Sequence, residues 1–184
     1  MRKIIHKLFW IWDFDKEEKW LNEMSAIGLQ LVSVSFGRYD FDEGQPGEYI
    51  YRMEMLKHFS SHPESERYIR FMEETEAEHV GSLKNWVYFR KKAGNGEFDI
   101  YSDVDSRIKH LEKIRNLTGI CLSVELICFL YYIFAMIFFH EHLFEVITVV
   151  MLVLLLLVIL MWRGFMKLQK KIKNLQKDFS LHEK

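Results

Sequence analysis

Cys121, Glu125, Cys128 and Tyr132 recur at i, i+4, i+7 and i+11. That spacing puts a carboxyl group, two thiols and a phenol on one face of a helix. The surrounding sequence is apolar, where an ionised carboxylate is costly unless it is protonated, paired or hydrated. Such a polar seam suits recognition of another membrane helix or the sensing of a ligand. His140, Glu141, His142 and Glu145 are residue types that bind zinc, but no metal-motif spacing joins them. Elsewhere His6, His58, His62, His79 and His110 are scattered without an HExxH arrangement. Ser33 and Ser35 lack a nucleophile elbow, and Gly94-Asn95-Gly96 lacks the strand-to-helix context of a phosphate loop. Glu48, Arg52 and Glu54 alternate as cross-strand ion pairs would, and the acidic run Glu73 to Glu78 suits a solvated helix end. No catalytic residue, metal site or cofactor is expected, and the chain is read as a non-enzyme.

The element that must carry the polar seam is unmistakable. Residues 117–139 and 143–162 are almost unbroken Leu, Ile, Val, Phe and Met. Each run is long enough, at ~1.5 Å per residue, to cross a hydrocarbon core of ~30 Å. Residues 140–142 leave room only for a tight turn between them. Arg107, Lys109, Lys113 and Arg115 precede the first run, and Arg163, Lys167, Lys170, Lys171 and Lys173 follow the second. The turn has no Lys or Arg, so the positive-inside rule places both termini in the cytoplasm and the turn outside. Membrane lipid is therefore an expected partner. Met1-Arg2-Lys3 is basic, but Asp13, Asp15 and Lys16 end the first apolar stretch too early for a signal peptide, so the hairpin is expected to direct insertion.

The mean hydropathy of −0.08 averages this anchor with a charged domain over residues 1–104. A net charge of −1 gives no electrostatic footprint for nucleic acid. The two cysteines both fall in the first apolar run, so no disulfide framework is expected. Residues 2–12 read as a strand, and Asp15 with Glu18 reads as a capping box opening a helix over 16–27 that stops at Gly28. A strand over 29–34 continues as extended chain past Gly37 to Phe41. A turn at 42–47 leads to a strand over 48–56. Pro63 opens a second helix, residues 83–90 form a strand, and 98–101 a short one. The order β-α-β-β-α-β predicts an α+β domain of the ferredoxin-like kind with a four-stranded antiparallel sheet. Helices would cover one sheet face and leave Trp10, Trp12, Tyr51, Trp86 and Tyr88 on the other, a surface for a protein partner, a second copy or a small ligand. Residues 105–116 form a helical connector into the membrane without a Gly- or Pro-rich linker. In the 163–184 tail, Leu168, Ile172, Leu175 and Phe179 mark an amphipathic helix. The plainest reading is a helix running out of the membrane; pairing with 105–116, self-association and lying on headgroups are the alternatives.

Several segments also carry a resemblance: Glu17 to Met24 followed by Gly28, then Tyr39-Asp40-Phe41, Pro46 to Arg52, and Phe98 to Asp103. Over about residues 1–115 the chain resembles the bacterial membrane family catalogued as domain of unknown function 2812. Leu29 departs from it, standing where an aromatic is expected. The resemblance brings no catalytic residues. It implies a role beside PadR-type transcriptional regulators, in a signalling or stress-response unit. The expected function is thus a membrane-anchored sensory or interaction module. The alternatives are a ligand-binding or enzymatic ferredoxin-like dimer and an accessory subunit of a membrane transporter complex.

Overall fold

The computed structural model describes residues 2–101, 103–138 and 144–182. The chain divides into two units, Met1–Asp103 and Val104–Lys184. In the first, β1 (Arg2–His6), α1 (Phe14–Ala26), β2 (Leu29–Ser35) and β3 (Arg38–Glu43) are followed by β4 (Tyr49–Met55), α2 (Pro63–Glu74), β5 (Glu78–Leu83) and β6 (Trp86–Lys92). The class is α+β, as the periodicities predict. The topology is not the expected single sheet: two antiparallel sheets form, ordered β1-β3-β2 and β4-β6-β5. The difference arises at two reverse turns. Residues 38–43 do not prolong β2; the chain folds back at Phe36-Gly37, with Gly37 at φ 66°. Residues 78–83 likewise form their own strand before a turn at Lys84-Asn85, with Lys84 at φ 58°. Neither pair carries the Asn-Gly or Asp-Gly signal of a two-residue hairpin. Phe98 to Tyr101 adds no strand, and Phe98 is instead buried beneath α2.

The order β-α-β-β therefore occurs twice, with the same strand order in each sheet. The second strand of each half bulges at the same place, between Leu31 and Ser33 in β2 and between His79 and Gly81 in β5. Each helix is followed by a residue in the left-handed region, Gly28 at φ 84° and Glu76 at φ 66°. At one constant sequence separation, Glu18 matches Glu66, Trp20 matches Tyr68, Leu21 matches Ile69 and Met24 matches Met72. Val32 then matches Val80, and Phe41 matches Phe89. The domain is a tandem pair of βαββ units. Their sheets approach along β2 and β5, where a Cβ on Gly81 would lie 3.2 Å from Val34 Cγ1.

The main core gathers Trp20, Leu21, Leu31, Phe41, Tyr51, Met53 and Tyr88 from both halves. A second cluster under α2 holds Ile69, Met72, Val87 and Phe89. The start of α1 departs from the expected capping box. The helix begins at Phe14, Asp13 makes no side-chain cap and pairs with Lys16 at 3.0 Å. Glu18 is drawn away to β4.

The second unit is a pair of packed helices, α3 (Val104–Phe138) and α4 (Phe144–His182). Both are long and apolar enough to cross a membrane. The expected turn His140-Glu141-His142 lies outside the described residues. The 105–116 connector is the first part of α3 with no break before the apolar run. On α3 the buried positions Ile108, Leu111, Ile114, Thr118 and Leu122 recur at threes and fours. They meet a matching stripe on α4 that includes Leu168 and Ile172. Two contacts fix the antiparallel register: Arg115 Nη1 donates to Gln169 Oε1 at 3.3 Å, and Gly119 sits against the Phe165 ring. The tail thus pairs with the 105–116 segment, with Leu175 half-buried and Phe179 43% exposed.

Candidate functional site

α1 is the helix that ties the halves together, and its sequence carries two separate faces. Glu18, Asn22 and Ser25 fall at i, i+4 and i+7, one polar stripe. They lie along the free edge of β4 and take up its backbone groups in turn. Glu18 Oε2 accepts from Met53 N at 3.0 Å. Asn22 accepts from Tyr51 N at 2.9 Å and donates to Tyr51 O at 3.0 Å. Ser25 Oγ donates to Tyr49 O at 2.7 Å and accepts from Tyr49 N. Side chains of a helix thus stand in for a neighbouring strand, which closes an edge that would otherwise template pairing with another chain.

The neighbouring position, Glu17, faces inward and is 7% exposed. Its Oε1 accepts hydroxyl bonds from Tyr39 on β3 at 2.6 Å and Tyr88 on β6 at 2.7 Å. One carboxyl oxygen therefore joins both repeats. Burial raises the Glu17 pKa above the ordinary carboxyl range, and the two hydroxyl bonds only partly offset this. Tyr51 makes the second bridge. Its hydroxyl accepts from Leu31 N at 2.9 Å, beside the β2 bulge, and donates to Gln30 Oε1 at 3.2 Å. Arg90 of β6 adds a bond to Leu31 O at 3.3 Å. Two side chains of the second half thus take up both backbone groups of Leu31 on an edge strand.

This geometry corrects the expectation of an uncovered aromatic face. Tyr51 and Tyr88 are at most 2% exposed and Trp12 is 7% exposed. Trp86 is partly buried against the core, its ring 5.5 Å from that of Phe14. Of the five, Trp10 alone is well exposed, at 50%, stacked on Trp12 with ring centroids 5.2 Å apart. The expectation assumed one sheet with one covered face; two sheets sharing α1 bury the tyrosines from both sides.

The open surface lies instead at β1. Among the described residues β1 pairs with β3 alone, and no helix side chain covers its other edge as α1 covers β4. Ile4 on this strand is 47% exposed. At the same sheet end, where His6 pairs with Arg38, stand Leu8 at 73% and Phe36 at 81% exposure. Leu8 packs over Gly37, so close that a Cβ there would lie 2.6 Å from Leu8 Cδ2. Sequence reading passed over these residues because β1 and the 36–37 turn were not resolved as separate elements.

Along α3 the proposed polar face is divided. Glu125 is partly buried, and its Oε2 has no hydrogen-bond partner among the described residues. Tyr132 is partly buried too, whereas Cys121 and Cys128 are exposed. Glu125 and Tyr132 continue the α3 seam beyond Leu122, and the two thiols point away from it.

No curated protein and no solved structure matches the chain. A family model described as Protein of unknown function (DUF2812) matches residues 13–123. The match takes in α1, both βαββ halves from that point onward and the start of the first apolar helix. It covers more than half of the sequence, and the chain belongs to the DUF2812 family.

Proposed function

We propose that this chain is a membrane-anchored, non-enzymatic interaction module whose α+β domain receives a protein partner along β1. The observation that carries the reading is the open edge of β1 with exposed Ile4, Leu8 and Phe36 beside it. An unpaired strand edge offers backbone donors and acceptors, and flanking apolar side chains offer specificity, which is the chemistry of strand addition. The contrast within the domain supports this. The equivalent edge of the second half is filled by Glu18, Asn22 and Ser25, so the fold has the means to close an edge and leaves β1 open.

In this reading the two apolar helices anchor the domain, and the basic residues flanking them favour a cytoplasmic domain with both termini on the same side. Sensing would be relayed along α3, which runs unbroken from Val104 into the apolar segment. The family resemblance makes a PadR-type transcriptional regulator the first partner to test and a second copy of the chain the next. A photoreactive residue replacing Leu8 in native membranes, followed by mass spectrometry of the adducts, tests the proposal. The expected product is an adduct to a polypeptide that disappears when Phe36→Ser is added. Adducts to lipid alone, or a polypeptide adduct indifferent to Phe36→Ser, would overturn it.

A further inference from the structure

The loop between β4 and α2 and the first turn of α2 bring together three groups that lie apart in any motif reading. His58 Nε2 is 3.3 Å from Glu64 Oε2, and the His58 and His62 rings stack with centroids 4.1 Å apart. All three residues offer a ligand atom within 4.8 Å of the others. We propose that His58, His62 and Glu64 bind a divalent transition metal of the zinc class, with a fourth position left to water.

The donor set fits that class. Two imidazoles and a carboxylate suit zinc or its borderline neighbours and not calcium or magnesium, which favour all-oxygen sites. Bonds of ~2.0–2.1 Å at tetrahedral angles hold donors roughly 3.4 Å apart, so closure requires movement of about an ångström, within reach of side-chain rotation. The backbone beneath is already fixed. Leu56 N donates to Asn85 O at 2.7 Å, Asn85 Nδ2 to Leu56 O at 3.1 Å, and Ser60 N to Lys84 O at 3.1 Å. His62 N donates to Phe59 O at 2.9 Å, and Ser65 Oγ reaches His58 O. The β5–β6 turn thus clamps the loop that carries the two histidines and leads into Glu64 on α2.

The fold does not require a stacked pair of histidines here. The equivalent loop of the first repeat stacks Trp10 on Trp12 instead. His62 also caps α2, its Nδ1 accepting from Glu64 N at 3.2 Å. A neutral imidazole has one ring lone pair, and capping uses it. Metal binding takes that lone pair on Nδ1, or Nε2 binds after the proton moves across the ring. Either way the cap bond is exchanged for a metal bond.

The test is zinc titration by calorimetry on the full chain in detergent, purified without a polyhistidine tag, with cobalt d–d absorption as a second readout. His62→Asn removes the imidazole but retains a good helix cap. His58→Ala and Glu64→Gln remove the other ligands. The expected result is saturable zinc binding, a tetrahedral cobalt spectrum, and a loss of at least about tenfold in affinity for each variant. Zinc should also raise the unfolding midpoint of the wild type but not of His62→Asn. Absence of saturable binding, or variants that bind as tightly as the wild type, would overturn the proposal.

Discussion

Replacing Tyr88 by Phe tests whether the Glu17 carboxyl is the polar joint between the two βαββ halves. The ring stays, so no cavity forms at a site that is 2% exposed. What is lost is one 2.7 Å hydroxyl bond to Glu17 Oε1. A hydrogen bond contributes ~0.5–1.5 kcal/mol to a neutral partner and ~1.5–3 kcal/mol to a charged one, and leaving a buried acceptor short of a donor costs ~1–3 kcal/mol. With a urea slope of ~1–3 kcal/mol/M for a domain of this size, the unfolding midpoint should fall by about 1 M. Tryptophan fluorescence of the full chain in mild detergent reads the domain, because Trp10, Trp12, Trp20 and Trp86 are four of the five tryptophans. Tyr39→Phe should cost a similar amount, since it removes the 2.6 Å bond to the same oxygen. The double variant leaves that oxygen bare and should exceed the sum by ~0.5–3 kcal/mol. The pH dependence supplies an independent readout. A carboxyl whose folded pKa is raised binds its proton more tightly in the folded state. Its stabilising contribution is therefore complete below the ordinary value of 4.5 and is lost as pH rises through the folded value. Glu17→Gln keeps an acceptor oxygen and cannot titrate, so the wild type should lose stability relative to it across that window. A Tyr88→Phe cost under about 0.5 kcal/mol, or a wild-type-minus-Gln difference flat with pH, would refute the joint.

Three further substitutions probe the symmetry of the domain. Tyr51→Phe leaves Leu31 N without its partner beside the β2 bulge and should cost about 1–3 kcal/mol in the same unfolding assay. Glu76→Gly relieves a left-handed residue at φ 66°; against ~1–2 kcal/mol of backbone relief stand a 3.5 Å Glu76–Lys91 ion pair exposed at its Glu76 end and a 3.2 Å surface bond from Asn95 Nδ2, together worth ~0–1 kcal/mol. A net gain is expected, whereas Gly28→Ala at the equivalent position should destabilise, because its Cβ would meet Gly44 O at 2.9 Å.

What the sequence made legible was whatever depends on one element at a time. Pro63 marked the start of α2, Gly28 the end of α1, alternation the strand β4, and unbroken apolar composition the two long helices. What it hid depends on which elements share a neighbour. Tyr51 and Tyr88 alternate on their strands as any face-forming residues do, and nothing in that pattern says that α1 lies over both sheets. Phe36-Gly37 and Lys84-Asn85 turn without their usual residue signals, so two pairs of strands read as two single strands. With the turns missed, the duplication was missed as well, since it survives in few identities beyond Glu18/Glu66, Met24/Met72, Val32/Val80 and Phe41/Phe89. His58 and His62 read as scattered histidines because no motif spacing connects them, and nothing joined Glu64 to them; the approach of the three is made by a segment pinned from the β5–β6 turn.

The places where the two halves differ are the places where this domain can do something. A duplicated unit meets the same backbone requirements twice, so a feature present in only one half is not explained by the fold alone. α1 spends Glu18, Asn22 and Ser25 on the β4 edge, whereas among the described residues no such ladder covers β1. The equivalent positions on α2 are Glu66, Arg70 and Glu73, of which the two acids lack donors for backbone carbonyls when ionised. An α2 of that composition is poorly made to close a strand edge as α1 does. Likewise the βα loops diverge, one to stacked tryptophans and the other to stacked histidines beside a carboxylate. Edge and loop thus separate two candidate activities onto different halves, a protein surface on the first and a metal site on the second. Mutations that disturb one should leave the other intact unless they break the Glu17 or Tyr51 bridges that both halves share.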